Sequence, residues 1–211
     1  MSYLPFHLSL FAEEATARTI FSETLEVLHE FSRQLIYWQT RDHIRTQMEP
    51  ELKRKYPTIR AVVKVVEVTS DKPADRRQQL MFGSAKGGFN VKFVIAMSPS
   101  TGQIMFVSDT FAGRTNNMQV IQKSGLSNLL QPDESIVKSE AGSDTFLVFG
   151  PVKSKAVFGR AFQDQMVTDP TESTMSNLRE LEAMKHVSAC TFPFFEKLSV
   201  VASLVNNLSL N

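Results

Sequence analysis

Residues 91–125 read VKFVIAMSPSTGQIMFVSDTFAGRTNNMQVIQKSG, and this stretch decides the fold. Val91–Ser98 and Ile104–Phe111 are short, apolar and rich in β-branched or aromatic side chains, which marks strands. The Ser98-Pro99-Ser100-Thr101-Gly102 run between them holds turn formers, so the two pair as a hairpin around Gly102. A polar Gly113-Arg114-Thr115-Asn116-Asn117 loop then feeds a helix over Asn116–Lys123, with Gly125 where a helix stops. Strands that run into a helix in this order belong to an α/β unit.

Working outward, the hydrophobic period names the neighbours. Ala61–Thr69, AVVKVVEVT, is nearly continuous valine, as expected of a strand covered on both faces. Ser70–Gln79 reads as a charged loop, and Gln79–Ser84 as a short strand before a Lys86-Gly87-Gly88 turn. Ser135–Glu140 and Thr145–Phe149 are two further strand patterns. Ahead of the first strand, Ile20, Phe21, Leu25, Leu28, Phe31 and Leu35 recur at helical spacing from about Ala12 to Tyr37. Glu13, Arg18, Glu23, Glu26, Glu30 and Arg33 form the opposite, polar side. A second, polar helix is expected from Arg41 to Lys55, ended by Tyr56-Pro57. From Lys153 onward the pattern is helical. Ser176 caps a helix through Leu178, Leu181, Met184 and Val187, and Pro193 opens another. Phe194–Leu208 is apolar on most faces and expected to lie buried on the sheet. The expected architecture is α/β: a mixed sheet flanked by helices, with a helical arm over 1–57 and a core over 58–211.

The chain has 211 residues, and its 23 basic and 22 acidic side chains nearly cancel, giving +1. Any nucleic-acid contact therefore rests on a local patch. One cysteine, Cys190, excludes an internal disulfide framework and fits a reducing compartment. No apolar run approaches the roughly 18 residues of a membrane helix. The start, MSYLPFHLSLFAEE, lacks a basic n-region and a cleavage site, so secretion is not expected.

The motifs and their order resemble the DDE-superfamily transposase-like endonucleases, of the Harbinger-related kind with an N-terminal helix-turn-helix. The family pattern Y-P-x-T-R followed by V-I-I-D-x-T-E is similar to Tyr56-Pro57-Thr58-Ile59-Arg60 and Val62-Val63-Lys64-Val65-Val66-Glu67. Its V-K-F-L-I-G-I-S-P and G-G-R-x-S-D motifs resemble Val91–Pro99 and Ala112-Gly113-Arg114-Thr115-Asn116-Asn117. Its E-K-S-G-L helix end resembles Gln122-Lys123-Ser124-Gly125-Leu126, and A-L-V-N-L resembles Ser203-Leu204-Val205-Asn206-Asn207. The resemblance implies a ribonuclease-H-like core over 58–211 that cuts DNA with divalent magnesium or manganese, and nuclear or cytoplasmic residence. It makes 1–57 a truncated helix-turn-helix plus a basic helix, because only a short segment precedes the recognition-helix match at Ala15–Phe21.

The departures from the family pattern bear on chemistry. Such nucleases hold two metal ions ~3.5–4 Å apart, through carboxylate oxygens. The position of the first catalytic aspartate is Lys64, and that of the second is Ser139, one step from Glu140. The third acid has no clear counterpart, Glu172 being nearest by distance from the C-terminal helix. An ammonium has no acceptor to offer a metal. Glu67 stands an odd number of residues from Lys64 and faces the other side of a regular strand. No intact catalytic set is expected, and no bound metal; if activity survives, Glu67 and Glu140 are the candidate ligands. Lys64 either lies on an edge strand facing water or marks a polar cleft, where it would pair with Glu140.

Other residues carry two readings each. Arg41, Arg45, Lys53, Arg54, Lys55 and Arg60 can contact phosphates or form a solvated helix end. Arg18 and Thr19 can read DNA from a recognition helix or lie on an exposed helix face. Tyr37 and Trp38 can stack on bases or pack. Gly83–Gly88 lacks the order of a phosphate loop and reads as a hairpin turn. His7, His29, His43 and His186 show no metal-ligand spacing. Three functions follow: a non-cleaving transposase-derived scaffold or relic that binds DNA or protein; an active metal-dependent DNA endonuclease with displaced ligands; and a protein-interaction module that forms a homodimer. No small-molecule substrate and no membrane are expected.

Overall fold

The computed structural model describes residues 14–83, 87–138 and 147–149, with Ser176, His186, Val187 and Val200. The expected strand at 145–149 begins at Leu147 in this description, and Phe194–Leu208 lies outside it apart from Val200.

Three helices precede the sheet: α1 (Glu14–Leu35), α2 (Arg41–Gln47) and α3 (Pro50–Lys55). The single helix expected over Arg41–Lys55 is broken, because Pro50 pushes Glu49 into an extended conformation at φ −62°, ψ 146°. The Thr40 hydroxyl caps α2 by accepting from His43 N. Ile44 from α2, Met48 at its C-cap and Leu52 from α3 enter the main core with Val63, Val94 and Val120.

The sheet is built on β1 (Ile59–Ser70). β2 (Phe89–Met97) runs antiparallel to it, with Lys64 opposite Ile95 and Glu67 opposite Lys92. β3 (Ile104–Val107) and β4 (Phe111–Ala112) both pair antiparallel with β2, so the expected strand at Ile104–Phe111 is interrupted. Ser108 bridges the break: its hydroxyl accepts from Val94 N at 2.8 Å and donates to Asp109 O at 2.7 Å. On the other side of β1, β5 (Ser135–Lys138) is parallel to it, and β6 (Leu147–Phe149) is antiparallel to β5. The order is β3-β2-β1-β5-β6, which makes a mixed sheet. Helices flank it: α2, α3 and α5 (Asn117–Lys123) on the main-core side, and Ile36 and Phe82 packed with Val68, Phe93 and Ile95 on the other.

Two sequence expectations are corrected. Gln79–Ser84 is not a strand: Arg76–Phe82 forms helix α4, capped by Asp75, whose carboxylate accepts from Arg77 N. Only Gly83 bridges Phe89. The cap side chain satisfies an orphan amide of the first turn, which favours helix over the brief alternation of Gln79–Phe82. Val187 is not helical either: His186–Val187 forms β7, parallel to Thr69–Ser70 at the end of β1, where the edge of that strand is open to a partner.

α1 differs from its sequence pattern in what it buries. Ala17, Leu25 and Ser32 face the protein, while Val27 and Phe31 are 70% and 53% exposed and Ile20, Leu28 and Leu35 are exposed beside them. Its apolar arc is wider than the strip that the core covers.

Candidate functional site

The position that resembles a catalytic carboxylate lies at the middle of the sheet. β1 has β2 on one side and β5 on the other, so Lys64 is interior and only 5% exposed. Of the two settings open to this lysine, the edge strand facing water is excluded. Its face of the sheet carries Val62, Val66 and Val68 from β1 and Phe93, Ile95 and Met97 from β2. Ser139, Glu140 and Glu172 lie outside the described residues.

Glu67 is on the opposite face, where it sits against Lys92. Lys92 Nζ is 4.0 Å from Glu67 Oε1 and donates to Thr115 O at 3.1 Å and Asn117 Oδ1 at 3.2 Å. Asn90 Nδ2 also donates to Glu67 Oε1. Lys92 therefore ties β2 to the Thr115–Asn117 segment that opens α5, and the Glu67 carboxylate on β1 faces it and Asn90. Lys138, on the Glu67 side through its pairing with Val63, is 3% exposed. Lys64 and Lys138 place two buried ammonium groups in adjacent central strands.

Among the described residues, Lys64 and Glu67 do not by themselves form a divalent-cation site of the kind the resemblance implies. Such a site needs carboxylate oxygens on one face, and the structure offers an ammonium at 64 with Glu67 turned away and engaged. Among the described residues no three His, Cys, Asp or Glu side chains converge.

A second polar cluster joins the helices to the core. Arg60 is 4% exposed; its Nε lies 3.1 Å from Glu134 Oε1, and Nη2 donates to Gln39 O. The guanidinium also stands 5.0 Å from the centre of the Trp38 ring, a cation–π contact. Burial pushes the Arg60 pKa down and the Glu134 charge opposes this. Gln39 Nε2 donates to Gln103 Oε1 at 2.8 Å. Arg41 pairs with Asp133 at 2.5 Å, and that hydrogen bond raises the Arg41 pKa and lowers that of Asp133. Trp38, Arg41 and Arg60 thus hold α2 against the turn before β5, and Arg60 is closed to solvent.

Arg45 and Arg54 are exposed on α2 and α3, and Lys53 is half-buried. The side chains of Arg18 and Lys55 lie outside the described residues. Thr19 is exposed and returns its hydroxyl to Ala15 O at 3.1 Å. Tyr37 is exposed, whereas Trp38 packs on the main core.

Two arginines that sequence reasoning did not single out as site residues share a cleft of about 360 Å3. Arg76, Gln79, Leu80 and Gly83 from the α4 segment, Gly88 and Phe89 from the start of β2, and Arg114 line it. Arg114 stood in a polar strand-to-helix loop, a usual place for ligand contacts. Arg76 carried no signal of its own.

Residues 63–147 match a family model described as DDE superfamily endonuclease. The match begins beside Lys64 on β1, spans β2 to β5 and ends at β6. It supports a transposase-derived origin for this part of the sheet and its α5 helix. No curated protein and no solved structure matches the chain. Among the described residues no helix is long and apolar enough to cross a membrane.

Proposed function

We propose that this chain is a transposase-derived, ribonuclease-H-like domain that no longer cuts DNA and acts as a scaffold for binding DNA or protein. The observation that carries the proposal is Lys64, a buried cation on the central strand where metal-dependent chemistry requires an anionic oxygen. Two metals stabilise the attacking and leaving oxygens of phosphodiester hydrolysis, and a fixed ammonium opposes their binding by direct repulsion. The β3-β2-β1-β5 order, with β5 alone parallel to β1 among them, supports the ribonuclease-H-like reading. Exposed Arg45 and Arg54 support a phosphate-contacting role for α2 and α3.

Purified full-length chain incubated with supercoiled plasmid and magnesium or manganese is expected to leave the plasmid intact. Metal-dependent nicking that disappears in a Glu67→Gln or Glu140→Gln variant would establish the active-nuclease reading instead.

A second reading, a homodimerising module, is favoured by the exposed apolar stripe of α1. Ile20, Val27, Leu28 and Leu35 lie symmetrically about the midpoint of residues 27 and 28. Two antiparallel copies would set Ile20 against Leu35 and Val27 against Leu28, as an isologous contact requires. Concentration-dependent sedimentation that Val27→Lys abolishes would support it, and a monomer at every concentration would exclude it.

A further inference from the structure

We propose that the cleft between α4 and the loop after β4 is a nucleotide-binding site, with Arg76 and Arg114 holding a phosphate and Phe89 and Leu80 receiving the base. Neither arginine has an ion-pair partner among the described residues, in contrast to Arg41 and Arg60. Two guanidinium groups lining one cleft make a fork for the oxygens of a phosphate, an anion they bind through paired, charge-assisted hydrogen bonds.

The Arg114 end of the cleft is held by backbone packing. A Cβ on Gly113 would stand 2.6 Å from Asn90 O and 2.8 Å from Phe82 O, so only glycine lets the loop pass between α4 and β2. That close passage brings the Arg114 guanidinium against Gly83, with Nε 3.3 Å from where a Cβ would stand there. Gly87 and Gly88, at φ 89° and 78°, turn the chain so that Phe89 forms the far wall. Gln79 Nε2 is engaged by Pro73 O at 2.7 Å, which leaves its amide oxygen as the acceptor it can offer a base.

The cleft's volume and walls select the ligand. About 360 Å3 is at the small end of ligand pockets, ~300–1,000 Å3, room for one nucleotide unit. Half-buried Phe89 and exposed Leu80 supply an apolar surface of the kind on which bases stack. Phe89 lies six residues along β2 from Ile95, the partner of Lys64. At about 3.3 Å per residue that is about 20 Å, so this site is separate from the Lys64 position and does not depend on the loss of cutting activity.

The test uses the full chain and three probes: inorganic phosphate, deoxyadenosine monophosphate and a fluorescein-labelled oligothymidylate. Calorimetry reads the first two and fluorescence anisotropy the third. Arg76→Gln and Arg114→Gln are each expected to weaken the nucleotide probes about tenfold, the worth of one charge-assisted hydrogen bond. Both side chains are exposed, and unchanged melting confirms the fold. Phe89→Ser is expected to weaken both nucleotide probes while leaving phosphate binding as it was. Arginine-dependent binding of both nucleotide probes identifies a free nucleotide or a strand as ligand; binding of the oligonucleotide alone identifies a single strand. No binding of any probe at millimolar concentration, or binding that the double arginine variant leaves intact, overturns the proposal. Plasmid nicking, present or absent, changes none of these outcomes.

Discussion

Replacing Arg60 with methionine tests how the helical segment is pinned to the sheet. The substitution keeps an unbranched side chain against Trp38 but leaves Glu134 buried without its cation. Both side chains are nearly closed to water, at 4% and 3% exposure. Breaking a buried pair by removing one partner costs about 3–5 kcal/mol. The lower end applies, because Glu134 Oε2 still accepts from Gln131 N at 3.0 Å and because Arg60 Nε makes no hydrogen bond despite its 3.1 Å contact. Loss of the cation–π contact adds about 0.5–1 kcal/mol. The expected total is about 3–4 kcal/mol, or a Tm lower by about 6–16 °C at about 2–4 °C per kcal/mol for a chain of this size. The Arg60→Met/Glu134→Leu double variant removes both charges and is expected to recover more than half of that loss. Urea unfolding followed by circular dichroism measures both. A single variant within 1 kcal/mol of the parent, or strict additivity in the double variant, would refute the claim that this pair is electrostatically coupled.

Gly113→Ala is expected to cost about 1–3 kcal/mol through overpacking, since its Cβ would meet the Asn90 and Phe82 carbonyls; thermal melting checks this. Ser108→Ala leaves Val94 N without its side-chain acceptor in the core of the hairpin, and an unfolding midpoint lower by the equivalent of about 1–3 kcal/mol is expected. Asp133 has a carboxyl held below the ordinary range by the Arg41 hydrogen bond. Its contribution is therefore fully present above the unfolded carboxylate pKa, about 3.9, and is lost as pH falls through the lower folded value. Asp133→Asn should be less stable than the parent at neutral pH, with the gap closing in strong acid; urea midpoints across pH decide it. If α1 pairs with itself antiparallel, Glu23 and Glu30 of the two copies come near one another, so added salt should strengthen the association, which sedimentation at two ionic strengths measures.

Much of the sheet was legible in the residues because its signals are local. Continuous valine marked β1 as covered on both faces, and the Pro-Ser-Thr-Gly turn fixed the β2–β3 hairpin. Asn116, whose side chain accepts from Met118 N at 2.8 Å, and Gly125 at φ 83° bound the α5 segment as their chemistry requires. α4 escaped because Arg76–Phe82 is short and polar, with an apolar end that also alternates like a strand; the Asp75 cap was the available sign. The break before Pro50 was written in the Glu-Pro pair, but continuous helical spacing across it masked the boundary.

Residue order alone determined β1, β2, the Asn116 cap of α5 and the lysine at position 64, because each depends on backbone propensity or on the identity of one side chain. Tertiary structure decided which strand is central, and so that Lys64 is interior, because that follows from β5 pairing with β1 across more than seventy intervening residues. It also decided that most of the α1 apolar arc stays exposed, since periodicity specifies a face and says nothing of what covers it. Only folding brings Arg76 and Arg114 to one cleft, through a glycine that lets two backbones approach where no Cβ would fit.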